Sequence, residues 1–191
     1  MEGPVTDLER LREIAVDQHG LVTSAQAVDS GVSFASLSMM VRRRRLEKVA
    51  RSLYRVPQVP ATPSDSFMEA VLWTGFPETC LSHDSALDAW EISDINPDKI
   101  HVTVASRRRI ARQIPQGYGI HHQDLLPEQV TWWEGIPIVT AATAIRQCLD
   151  SGVPTYLIRQ ALERSAPTGL VSTSDRLALS HLMEARYVRQ S

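Results

Sequence analysis

The chain has 191 residues, 43% hydrophobic and 22% charged, with a formal net charge of -2. That length holds one large domain or two small ones, and that composition belongs to a globular protein rather than a disordered one. No apolar run reaches about 18 residues, so no helical membrane span is expected. Cys80 and Cys148 are too few and too far apart for a disulfide framework or a zinc knuckle. The polar, acidic stretch from Met1 to Glu13 lacks the apolar core of a signal peptide. A cytoplasmic protein with reduced thiols is expected.

In chain order, Thr6-Asp-Leu-Glu9 reads as a capping box opening a helix, with Leu8, Leu11, Ile14 and Ala15 at helical spacing. Gly20 is a stop. Thr23-Ser-Ala-Gln26 is a second capping box, opening a short helix that Gly31 closes. Ser33 caps a third helix, with Phe34, Leu37 and Val41 expected on its buried side, joined by Met40. After Arg45 the period changes. Leu46, Val49, Leu53, Tyr54 and Val56 are β-formers in a basic context and read as a two-stranded wing. Pro57, Pro60 and Pro63 fall in a stretch read as an interdomain linker. This places one domain over residues 1–60 and a second over 61–191.

The second part is mixed. Ser64 and Ser82 are expected to cap helices, the first carrying Phe67, Ala70, Val71 and Leu72, the second Leu87 and Trp90. Residues 100–104 alternate as a half-buried strand, and residues 118–122 and 136–139 are further strand candidates. Helices are expected over 141–151, 155–165 and 173–187. The fold class is therefore α+β: an N-terminal winged helix-turn-helix followed by a mixed domain with a small sheet.

Charge is unevenly divided. Arg42 to Arg55 holds seven Lys/Arg against Glu47 alone, a local charge of +6. From Ala61 onward eleven Lys/Arg face fifteen Asp/Glu, a charge of -4. A polyanion-binding head on an acidic body fits this asymmetry. A recognition helix needs small or polar residues on its outer N-terminal face. Ser33, Ala35, Ser36 and Ser38 meet that need, with Met39 and Arg42 or Arg43 following. Arg44, Arg45, Lys48, Arg51 and Arg55 fall at the helix end and wing, where cations meet phosphate and hold register without reading sequence. Four consecutive arginines also point all round a helix and complement its dipole, at about 0.3–1 kcal/mol each. Their position between a capped helix-turn-helix and a wing favours DNA.

The N-terminal pattern, His19-Gly-Leu-Val-Thr-Ser24 onward and then Arg42 to Pro57, resembles the winged-helix domain of AbiEi-type antitoxins. Leu81-Ser-His-Asp-Ser-Ala-Leu87, Ile100 to Val104 followed by Arg107-Arg-Arg109, and Gly135-Ile-Pro-Ile-Val-Thr140 are similar to later segments of that family. The resemblance implies a type IV toxin–antitoxin system. Its antitoxin binds inverted repeats in its own promoter, represses transcription, and counteracts a nucleotidyltransferase-type toxin. Carried over, the DNA-reading residues are Ser33, Ser36 and Arg42 to Arg45, with Arg51 and Arg55 on the wing. The chain departs from the family pattern at Ser52 and near Arg44–Arg45, where glycine is common, so a differently shaped wing turn is expected. Ala144 and Ile145 stand where the family usually has an arginine-threonine pair.

No glycine-rich phosphate loop, GxSxG or HExxH is present. His83-Asp84 is the best catalytic pair, yet neighbours on a helix point apart, and a structural role is favoured. His121 and His122 are expected on opposite faces of a strand, so that a metal site with His101 lacks supporting ligands. Of Trp132 and Trp133, one ring is expected in the core and one outside. Arg107, Arg108, Arg109 and Arg112 form a second basic patch that either touches DNA or solvates a loop. No catalysis, cofactor or metal is expected. The expected partners are operator DNA, two protomers to a palindrome, and a toxin. The alternatives are a winged-helix regulator without a toxin, whose second domain dimerises or binds a ligand, and a protein-binding winged helix.

Overall fold

The structure, a computed structural model, describes residues 6–190. The stretch Met1–Val5, read above as part of a polar N-terminus, and Ser191 lie outside the described residues. The chain divides into two compact units. The first holds residues up to Pro77 together with Glu134–Ile136, and the second holds Glu78–Trp133 and the chain from Pro137 onward. The expected domain boundary after Pro60 thus falls inside the first unit.

The first unit begins with α1 (Asp7–Val16), whose capping box is complete: Glu9 N donates to Thr6 Oγ1, and Thr6 N donates to the Glu9 carboxylate at 2.7 Å. The chain turns at His19 and Gly20, both at positive φ, into β1 (Leu21–Thr23). Thr23 then caps α2 (Ser24–Asp29) with the expected reciprocal bonds to Gln26. Gly31, at φ +88, closes α2: Gly31 N donates to Val28 O and Val32 N to Ala27 O, the Schellman pattern.

Ser33 caps α3 (Phe34–Arg42), accepting from Ser36 N at 3.1 Å. Val32 before the cap and Leu37 inside the helix are both buried in the same core, the arrangement of a hydrophobic staple. After α3 come β2 (Glu47–Ala50) and β3 (Leu53–Arg55), which pair antiparallel with a register shift between Lys48 and Ala50. β1 adds to β3, giving a three-stranded sheet in the order β1-β3-β2. The wing is therefore a hairpin anchored by a third strand. That strand is three residues long, too short to leave a periodic signal in the sequence.

The core of this unit gathers Leu11, Ala15, Val22, Ala27, Val32, Leu37, Met40, Leu46 and Val56. Phe34 is not among them. It was expected inside and is 64% exposed. Leu37 and Met40 centre the buried face, and at about 100° per residue this turns Phe34 onto its flank. The segment read as a linker carries no helix or strand but is fixed to the unit: Val59 packs on the core, and Thr62 donates to Asp65 through its backbone N–H and hydroxyl. It leads into α4 (Asp65–Trp73), where Met68, Ala70, Val71 and Trp73 are buried. Ser64 occupies the cap position of α4 without capping it; its hydroxyl bonds to Glu134 instead.

The second unit is a five-stranded mixed sheet with helices. β4 (Cys80–Leu81) pairs antiparallel with β5 (Ile100–Val104) and parallel with β8 (Ile136–Val139). β5 pairs parallel with β6 (Tyr118–His122), and β7 (Val130–Trp133) completes the order β6-β5-β4-β8-β7. α5 (His83–Ala89) follows β4. The closing helices are α6 (Ala141–Ser151), α7 (Thr155–Thr168) and α8 (Thr173–Gln190). The last two run on from the expected spans. Ile138, Ile145 and Ile158 are fully buried in this unit. The architecture is α+β, with a winged helix-turn-helix at the N-terminal end. Among the described residues no helix is long and apolar enough to cross a membrane.

Candidate nucleic-acid interface

α3 ends sooner than its arginine run. Arg44 takes φ +55, Arg44 N donates to Val41 O, and Arg45 N reaches back to Met40 O at 2.9 Å. This is a Schellman stop with arginine at the position that usually holds glycine. Arg42 is thus the last helical residue, and Arg43 to Arg45 lie on the turn into the wing. All four are exposed, as is Lys48 on β2. Among the described residues none of these five has a carboxylate within ion-pairing distance. Their charge faces solvent at one end of the helix-turn-helix.

Ser52, at the tip of the wing, also takes a positive φ, +63. The turn was expected to differ in shape because serine replaces glycine there and arginine replaces it near residue 44. The backbone adopts left-handed conformations at both positions all the same. The side chains are carried at a conformational cost of about 1–2 kcal/mol each.

The other expected contacts are placed differently. Ser33 is engaged as a cap, and the Ser36 hydroxyl donates to Asp7 of α1. The exposed face of α3 is therefore Phe34, Ala35, Ser38, Met39 and Arg42. Sequence reasoning had sent Phe34 inside and had placed Met39 along the outer face. Arg55 leaves the exposed set: its Nη1 lies 2.9 Å from Asp65 Oδ2 and donates to His19 O at 3.3 Å. Burial pushes the Asp65 carboxyl up, but hydrogen bonds from Thr62 and the Arg55 charge outweigh this, leaving its pKa below the ordinary value. Arg51 is exposed on the wing. In the second basic patch Arg108 is bound to Glu78, with Nη2 to Oε2 at 2.9 Å, and Arg107 lies 3.7 Å from the same carboxylate. The Arg108 hydrogen bond holds Glu78 below the usual carboxylate range. Arg109 is exposed and Arg112 half-buried.

The second unit brings together three histidines. The His83 and His121 rings stack with centroids 3.5 Å apart, and His101 Nδ1 lies 2.8 Å from His121 Nε2. Strand register places His101 opposite Gly119, where a Cβ would stand 2.6 Å from His101 Nδ1. The absence of a side chain at Gly119 makes room for the ring. His83 Nδ1 contacts Ser82 Oγ at 3.0 Å, and Ser82 Oγ accepts from Thr103 Oγ1 at 2.8 Å. Ser82 was expected to cap α5 but makes no cap bond there. Burial lowers the His83 pKa to about 3, helped by the charges of His121 and His101. Burial also lowers His121 to about 4, helped by His101 and opposed by Asp84.

An imidazole held that far down is a weak base, and the Ser82 hydroxyl is fully buried. The cluster is a polar network in which Ser82, His83, His101, Thr103 and His121 contact one another. Sequence reasoning grouped His101 and His121 with His122, but His122 is exposed and His83 takes its place. Among the described residues no trio of His, Cys, Asp or Glu is arranged to hold a metal ion. Trp132 is 67% exposed and Trp133 half-buried, close to the expected division.

The helix-turn-helix, its anchored wing and the cationic helix end define a winged helix-turn-helix module. Residues 9–57, within this module, match the family model described as transcriptional regulator, AbiEi antitoxin. The match ends at Pro57, and the later segments quoted for the resemblance lie outside it. Among solved structures the chain is similar to the RV2827C protein from Mycobacterium tuberculosis, with 13% identity, 92% of this chain and 81% of that chain covered, and a TM-score of 0.41. No curated protein matches the chain.

Proposed function

We propose that the protein is an AbiEi-type antitoxin that binds its own promoter, represses transcription and counteracts a nucleotidyltransferase-type toxin. It acts in the cytoplasm without enzymatic activity of its own. The observation that carries the DNA-binding part is the exposed cluster of Arg42, Arg43, Arg44, Arg45 and Lys48 between recognition helix and wing, which among the described residues meets no carboxylate. Arg42 and Arg43 are positioned by sequence to approach base edges, and Arg44, Arg45, Lys48 and Arg51 to meet phosphates. Two protomers occupy the two halves of an inverted repeat. The test is a gel shift on DNA upstream of the coding sequence. Replacing Arg42 to Arg45 by alanine is expected to abolish the shift while the circular dichroism spectrum is kept. A normal shift by the folded variant contradicts the reading.

A second reading is a winged-helix regulator with no toxin partner, its second unit serving dimerisation or a ligand. The end of the family match at Pro57 favours it, because nothing in that match speaks for the second unit. The neighbouring gene discriminates: an adjacent nucleotidyltransferase reading frame supports the antitoxin, and its absence supports the regulator.

A further inference from the structure

The exposed face of α3 is unusual for a surface that borders so much charge. Phe34 is 64% and Met39 49% exposed, and Ala35 and Ser38 beside them are small. At about 100° per residue these four and Arg42 form one continuous strip. Of the polar residues nearest its start, Ser33 is exposed but its hydroxyl oxygen accepts the cap bond from Ser36 N, and half-buried Ser36 donates to Asp7. The strip therefore presents apolar atoms first and a guanidinium last, with the cations Arg43, Arg44, Arg45 and Lys48 following beyond it.

That order is complementary to one kind of surface. The cations require a polyanion, and an apolar strip next to them requires apolar atoms on it. In the major groove of duplex DNA, among the unmodified bases, only thymine supplies an apolar group, its C5-methyl. Small side chains at Ala35 and Ser38 let the helix axis come close, and Phe34 and Met39 project on either side of them. Resting on the DNA-binding reading above, we infer that α3 selects its site by packing Phe34 and Met39 against thymine methyl groups, with Arg42 supplying the polar base contact. Specificity then resides in apolar contacts rather than in the serines. Cytosine methylated at C5 carries the same group, and the experiment below separates the two.

Full-length protein is used to enrich binding sites from a pool of random 20-base-pair duplexes. The enriched site is resynthesised with each thymine replaced singly by deoxyuridine, which removes the methyl and nothing else. At one or more positions in each half-site the wild type is expected to lose about fourfold in affinity per methyl. Phe34→Ala or Met39→Ala, both at exposed positions, is expected to bind the thymine and uracil versions of its own position equally. Retention of the thymine preference by both variants overturns the inference, as does a wild type indifferent to every replacement. The same site is also made with each cytosine replaced singly by 5-methylcytosine, and discrimination that appears only in that series overturns the thymine assignment. If the wild type enriches no duplex at all, the DNA-binding reading itself fails, which is distinguishable from loss of methyl selection alone.

Discussion

Arg55 on β3 and Asp65 at the start of α4 form an ion pair of 2.9 Å, and both side chains are largely buried, 19% and 12% exposed. The pair ties the wing to the helix that follows it. Thr62 adds two hydrogen bonds to the same carboxylate, and His19 Nδ1 lies 3.6 Å from it. A residue that composition assigned to phosphate contact is thus a structural fastening.

Asp65→Ala leaves the guanidinium and both Thr62 donors without their acceptor. A destabilisation of about 2 kcal/mol is expected, read as a lower urea midpoint. Arg55→Ala is expected to lower the midpoint as well, while weakening DNA binding less than Arg43→Ala does. A larger loss of affinity for Arg55→Ala than for Arg43→Ala, at equal folding, contradicts this division of roles.

Salt dependence measures the arginine cluster directly. Each phosphate neutralised contributes about -0.9 to the slope of log K against log salt concentration. Single alanine replacements at Arg44, Arg45 and Lys48 are each expected to reduce the slope by about one unit and to weaken all duplexes alike. A slope unchanged in all three variants removes these side chains from the phosphate contacts.

The left-handed serine at the wing tip gives a prediction of opposite sign. Ser52→Gly relieves a conformation that glycine adopts freely, and loses some of that gain to the greater freedom of the unfolded chain. A net stabilisation of about 0.5–1 kcal/mol is expected, seen as a higher Tm. Ser52→Val is expected to lower it, since a β-branched side chain tolerates positive φ worse.

The histidine network sets an acid limit. His83 and His121 take up protons near 6.5 in the unfolded chain but only near 3 and near 4 in the folded one. Both are therefore neutral in the fold, and below pH 6.5 the unfolded state binds more protons. Stability is full above pH 6.5 and falls as the pH drops towards 4, by an amount on the order of a few kcal/mol. Asp65 and Glu78, whose pKa values are lowered, take effect only at more acid pH, below their unfolded values of 3.8 and 4.5. Urea titrations between pH 7.5 and 4.5 are expected to show the decline, and His83→Gln with His121→Gln to flatten it. A decline of equal steepness in the double variant assigns it elsewhere.

Much of the first unit was legible because its signals are local. Thr6 with Glu9, Thr23 with Gln26, and Ser33 are side-chain caps whose partners lie within three residues, so spacing alone finds them. The strands that escaped notice, β1, β4 and β7, are two to four residues long, and β1 and β4 owe their existence to partners distant in sequence. Site residues were misplaced for the same reason. Ser36 looked free until Asp7 reached it, Arg55 until Asp65 did, and Arg108 until Glu78 did. His83 joins His101 and His121 only through the sheet that brings β4, β5 and β6 side by side.

The stop at Arg44 makes the run of four arginines a ruler as well as a reservoir of charge. Arg45 N and Leu46 N both reach back to Met40 O, and Leu46 then descends into the core at 1% exposure. Exchanging Arg42, Arg43 or Arg45 for another residue keeps the spacing and alters what the surface attracts; at Arg44 it also changes the cost of the left-handed backbone. Removing one shortens the ruler, and Leu46 arrives a residue early with its side chain aimed at water. Divergence at this place is therefore expected to proceed by substitution at constant length.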